Sequence, residues 1–127
     1  MEFKMKPEVG FFTETGFGRL DIAGDDHYGF RPFQLLVSSV AICSGGVLRT
    51  VLEKMRMEID DIHIQADAER IEEEANRISK ITIHFRISGN NLDKRKIEKA
   101  MVLTRKNCSM VQSVAGSIEI EETFEIV

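Results

Sequence analysis

At 127 residues, 43% of them hydrophobic and 30% charged, the chain has material for one ordinary core and a solvated surface. It is too short for two such cores, so residues 1–127 are expected to form a single domain. The formal net charge of −4, with basic residues grouped only briefly at Lys94-Arg95-Lys96 and Arg105-Lys106, argues against a phosphate-neutralising surface and hence against a nucleic-acid partner.

From Glu2 to Ile22 an imperfect strand-like pattern carries Phe3, Met5, Phe11, Phe12, Phe17, Leu20 and Ile22, and Gly16 and Gly18 predict a hairpin bend. Residues 23–31 are rich in Gly, Asp and His and read as a loop, after which Pro32 is acceptable in a first helical turn. Phe33, Leu36, Val37, Val40, Ser44, Val47, Leu48, Val51 and Met55 recur at helical steps, predicting one long helix that is apolar over a wide arc. Two adjacent glycines inside it, Gly45 and Gly46, each cost about 1 kcal/mol relative to Ala, which points to a close approach by a second helix or a partner subunit.

Further along, Ile62, Ile64, Ala66 and Ala68, then Ile81, Ile83, Phe85 and Ile87, alternate with polar residues as half-buried strands. Their parity puts His63 and His84 on outward faces, and Glu72-Glu73-Glu74 reads as an exposed turn between them. An amphipathic helix follows over 92–106. Asn107 is expected to cap a short second one, and Ile118, Ile120, Phe124 and Ile126 alternate in a closing strand. The order of elements is α+β, without a regular βαβ repeat.

No basic start followed by an apolar stretch and a small-residue cleavage site opens the sequence, so a cytoplasmic location is expected. The most apolar run, Leu35 to Cys43, falls short of the roughly 18 residues of a membrane span. In a reducing compartment the two cysteines are expected to be free, catalytic or redox-sensing. Cys43, mid-helix beside the apolar stripe, has its thiolate disfavoured by desolvation unless a cation approaches, whereas Cys108, beside a helix start, is expected to have its thiolate favoured. His27, His63 and His84 have no metal spacing with the cysteines. The segment Gly16-Phe17-Gly18 lacks the third glycine of a dinucleotide fingerprint, so neither metal nor cofactor is expected.

The stretches Pro32-Phe33-Gln34-Leu35-Leu36, Ala41-Ile42-Cys43-Ser44 and Lys106-Asn107-Cys108-Ser109, with the paired strands between them, resemble the OsmC/Ohr superfamily over residues 9–127. The likeness is greatest to its short YhfA-like branch. The resemblance implies an OsmC-like fold, in which curved antiparallel sheets wrap long central helices in an intertwined homodimer. It also implies thiol-dependent reduction of organic hydroperoxides or related small electrophiles in oxidative-stress defence. Cys43 would attack, Cys108 would resolve the resulting sulfenic acid as a disulfide, and an external thiol or dithiol would restore both. The hydroperoxide-reducing branches place a glutamate after the helix-opening proline, where this chain has Phe33, and an arginine from the N-terminal strands beside the thiolate, for which Arg19 is the partial match. Active members often carry proline after the second cysteine; Ser109, shared with the YhfA-like branch, stands there. The alternative implied by these departures is a non-catalytic dimer that binds a small ligand or senses redox state.

Overall fold

A computed structural model describes residues 1–127 and follows the expected α+β order in two compact units, Met1–Leu36 and Val37–Val127. In the first, β1 (Lys4–Met5), β2 (Phe11–Glu14) and β3 (Arg19–Ile22) pair antiparallel in chain order. The bend lies where the glycines predict it: the Thr15 N–H donates to the Gly18 carbonyl at 2.9 Å. Gly10 answers to a different constraint, because its φ is +85° and a Cβ there would fall 2.3 Å from the Ile22 carbonyl oxygen. The loop after β3 ends with Phe30 bridging Ile22. Helix α1 (Pro32–Lys54) then starts with Gln34 Oε1 accepting the Arg31 N–H at 3.3 Å, the reciprocal half of a capping box.

The second unit contains the rest of α1, then β4 (Glu58–Ile71), a 3-10 turn at Glu72–Glu74, β5 (Arg77–Asn90), α2 (Lys94–Asn107), α3 (Ser109–Val114) and β6 (Glu119–Ile126). Strands β4 and β5 form a long antiparallel hairpin whose register sets Ile64 opposite Phe85. Its turn is the exposed acidic triplet, closed by Ala75 and Asn76 at φ of 58° and 59°. The expectation of wholly antiparallel sheets fails at β6, which pairs parallel to β5. A parallel neighbour needs a crossover of a dozen or more residues, and α2 with α3 supplies it.

Strand β5 is central in the order β4-β5-β6, and its Ile81, Ile83, Phe85 and Ile87 are wholly buried. Leu48 and Leu52 of α1 and Ile97 and Ala100 of α2 join them in one core. Each large side chain so buried contributes about 1.5–3 kcal/mol, which explains why this unit can hold polar groups inside it. By length and composition α1 could cross a membrane, a property the run from Leu35 to Cys43 alone did not suggest. In this fold Val40, Ala41, Leu48 and Leu52 of that helix belong to the core. The close approach predicted for the paired glycines holds for Gly45, but the neighbour is a strand: a Cβ there would meet Ile64 Cδ1 of β4 at 2.2 Å. Gly46 faces open space.

Candidate thiol site

Three elements of the second unit build the site. Helix α1 presents Cys43, half-buried, one residue before the fully buried Ser44. The junction of α2 and α3 presents Cys108, which is wholly buried. Cys108 itself, and not Asn107, caps α3: its backbone is extended at φ −78° and ψ 109°, and its sulfur accepts the Val111 N–H at 3.5 Å. Its own N–H closes α2 on the Thr104 carbonyl at 2.9 Å. Asn107 is the last residue of α2 and turns its amide back to the Leu103 carbonyl at 2.8 Å. A cap must have extended backbone and an acceptor facing the following turn, and Cys108 meets both conditions.

Both cysteines are free thiols, and their side chains interact directly. The Met110 backbone N–H is the main influence holding the Cys43 thiol below the usual range. Hydrogen bonds from the Cys108 thiol, the Ser109 hydroxyl and the Ser109 N–H act the same way, and partial burial opposes them. The Cys43 sulfur lies 3.7 Å from Ser109 Oγ. Burial pushes the Cys108 thiol up, despite the Val111 N–H, and a negative Cys43 beside it adds to that shift. The preference expected from local position alone, a favoured thiolate at Cys108 and a disfavoured one at Cys43, is therefore reversed, without a cation beside Cys43. The Ser109 and Met110 amides of α3 reach across to the less buried Cys43, whereas at Cys108 burial outweighs the Val111 and Met110 amides. On its open side Cys43 borders a groove of about 540 Å³ lined also by Ile42, Gly46, Val47, Thr50, Val51 and Lys54.

Arg19 lies in the first unit, where its guanidinium pairs with Asp21 at 3.1 Å and stacks over the Phe12 ring at 3.9 Å. Lys6 holds the same carboxylate at 3.0 Å. Phe33, in the position of the family glutamate, has the Arg31 guanidinium 4.9 Å above its ring. The two strand histidines face outward as predicted. His63 is exposed, and His84 meets Thr123 at 2.7 Å and Glu125 at 3.3 Å.

Sequence reasoning missed a polar group set beneath the cysteines. Ser44 Oγ donates to Oε2 of Glu122 on β6, whose side chain is only 5% exposed. The other carboxylate oxygen has no hydrogen bond and faces Arg105 Nη1 of α2 at 3.7 Å. That guanidinium donates to the Ile120 carbonyl at 2.7 Å. Arg105 thus does more than solvate a helix face. The signal was present in the parity of β6: Glu122 falls in the inward register of Ile120 and Phe124, where an apolar residue is expected.

A family model described as OsmC-like protein matches residues 24–123. Protein YhfA of Escherichia coli K12 is 25% identical over 97 residues, which are 76% of this chain and 72% of the relative. Among solved structures, a hypothetical protein from Aquifex aeolicus VF5 superposes with a TM-score of 0.88 at 26% identity, over 99% of this chain and 93% of that one. An organic hydroperoxide resistance protein OsmC from Legionella pneumophila shares the fold, with a TM-score of 0.74 at 16% identity over 98% and 95% of the two chains.

Proposed function

Because this chain belongs to the OsmC-like protein family, we propose that it is a thiol-dependent reductase of organic hydroperoxides or related small electrophiles in the oxidative-stress response. The observation that carries this reading is the asymmetry of the cysteine pair: a half-exposed Cys43 whose thiolate is favoured by the Met110 amide, in contact with a buried, protonated Cys108. The Cys43 thiolate attacks the distal peroxide oxygen. The O–O bond breaks, an alcohol leaves after taking a proton, and Cys43 becomes a sulfenic acid. Attack by Cys108 on that sulfur then expels water and forms the disulfide, which an external thiol or dithiol reduces.

Purified protein is expected to consume cumene hydroperoxide in the presence of dithiothreitol, with Cys43→Ser slower by about 100-fold or more. Consumption unchanged in Cys43→Ser would sink the assignment.

We read residues 1–127 as one functional domain of a cytoplasmic homodimer. Exposed apolar side chains on all three helices, Ile42, Val102 and Met110 among them, and Phe3, Phe11 and Phe30 of the first unit support a partner copy. Sedimentation is expected to give a dimer at micromolar concentration, and a stable folded monomer there would refute that part. The engagement of Arg19 by Asp21, with Phe33 in place of a carboxylate, favours a second reading, a non-catalytic dimer that binds a small ligand or senses redox state. Arg19 serves the catalytic reading only where it leaves Asp21 for a thiolate. Failure of wild-type protein to consume peroxide would make the second reading the better one.

A further inference from the structure

From Glu119 to Glu125 strand β6 alternates, with Glu119, Glu121, Thr123 and Glu125 exposed and Ile120, Glu122 and Phe124 turned inward, and only Ile126 at its end departs from that parity. Glu122 is thus a carboxylate in a core register, paired across the sheet with the wholly buried Ile83. Burying a carboxylate is costly unless partners compensate it, so a chain that keeps one there departs from the pattern of the rest of its strand. Its two partners come from α1, which carries Cys43, and from α2, whose end Cys108 caps. Ser44, fully buried, directly follows Cys43 and donates to one carboxylate oxygen. Arg105, three residues before Cys108, faces the other at 3.7 Å.

We propose that Glu122 is a positioning residue for the thiol pair: by holding Ser44 of α1 and Arg105 of α2 from one point on β6, it keeps the Cys43 sulfur in register with Cys108 and with the Met110 amide. This inference rests on the thiol-pair reading above, but not on peroxide being the oxidant. A neutral Gln at 122 retains an acceptor for Ser44 and loses the attraction for Arg105. A slackened α2–α3 junction then costs both the approach of the sulfurs and the hydrogen bonds that favour the Cys43 thiolate.

The test is oxidation of reduced protein by diamide, which takes two electrons and two protons from the thiol pair as the S–S bond forms. It is accompanied by alkylation of Cys43 at pH 7, located by peptide mapping. Glu122→Gln is expected to slow disulfide formation about tenfold, the scale on which small misplacements of reacting groups act. Cys43 alkylation is expected to fall about threefold, following its thiolate fraction. The sign of the second change separates positioning from charge: removal of a nearby negative charge alone would raise the thiolate fraction and speed alkylation. Faster or unchanged alkylation, or an unchanged disulfide rate, overturns the inference. Should Glu122→Gln not fold by circular dichroism, Arg105→Gln, whose side chain is 47% exposed, tests the same tie through the disulfide rate, expected to fall about tenfold, an unchanged rate overturning the inference, because loss of a positive charge would by itself slow alkylation. If wild-type protein is inert to peroxide while these variants slow the diamide reaction, the proposed activity fails and the positioning role stands.

Discussion

Cys43 and Cys108 are the same residue type in mutual contact, yet their surroundings drive their thiols in opposite directions. Cys43 reaches a groove and receives the amides of the first turn of α3 from across the helix interface. Cys108 opens that turn, is closed in by the core, and stays protonated. The difference teaches that the amides of one helix start reach both sulfurs, and that burial decides which of them keeps the benefit. The residue that begins the helix need not be the one that benefits.

The largest effect expected from breaking this asymmetry is on the fate of the oxidised sulfur. With a dimedone-type reagent and a stoichiometric hydroperoxide, Cys108→Ser is expected to accumulate labelled Cys43 at about tenfold the wild-type level, because no resolving thiol removes the sulfenic acid. Cys43→Ser is expected to leave Cys108 unlabelled. Label on Cys108 in that variant would reverse the roles and remove the chemical meaning of the two environments.

A smaller effect is expected in the pH dependence of alkylation. Thiolate is the reactive form, so each cysteine gains reactivity as pH rises through its own titration. Cys43 is held below the usual thiol range, chiefly by the Met110 amide, and should react first, while Cys108, raised chiefly by burial, should follow only above that range. Between the two midpoints the pair carries one negative charge, on Cys43. Mass-spectrometric labelling across the pH range checks the order, and simultaneous labelling of both sulfurs would show that the asymmetry is absent in solution.

Much of this arrangement was legible in the residues themselves. Period-3.6 and period-2 patterns located α1, the β4–β5 hairpin and β6, because each buries a face whose spacing the chain must respect. The family motifs around Cys43 and Cys108 named the pair. Three features were not legible, each depending on groups far apart in sequence. The parallel pairing of β6 depends on where α2 and α3 deliver the chain. The lowered thiol at Cys43 depends on amides at positions 109 and 110 crossing to residue 43, and the raised one at Cys108 on its burial by the packed core. The Ser44–Glu122–Arg105 tie depends on three elements meeting, although the inward parity of Glu122 was a local warning.

The smallest effect separates the two α3 amides that face Cys43. Ser109 occupies the first position of α3, where a missing N–H would go unused within the helix, and Cys108 before it already has the extended backbone that a following proline demands. Ser109→Pro should therefore fold with a stability change within about 1 kcal/mol. It removes both the hydroxyl at 3.7 Å from the Cys43 sulfur and the Ser109 N–H, but leaves the Met110 N–H, the dominant influence. Loss of the two lesser hydrogen bonds raises the Cys43 thiol slightly, so alkylation at pH 7 is expected to slow by no more than about threefold, with Cys108 unchanged. A collapse of Cys43 reactivity in a folded Ser109→Pro protein would transfer the leading role from the Met110 amide to Ser109. An unchanged rate would show that the Met110 amide suffices alone.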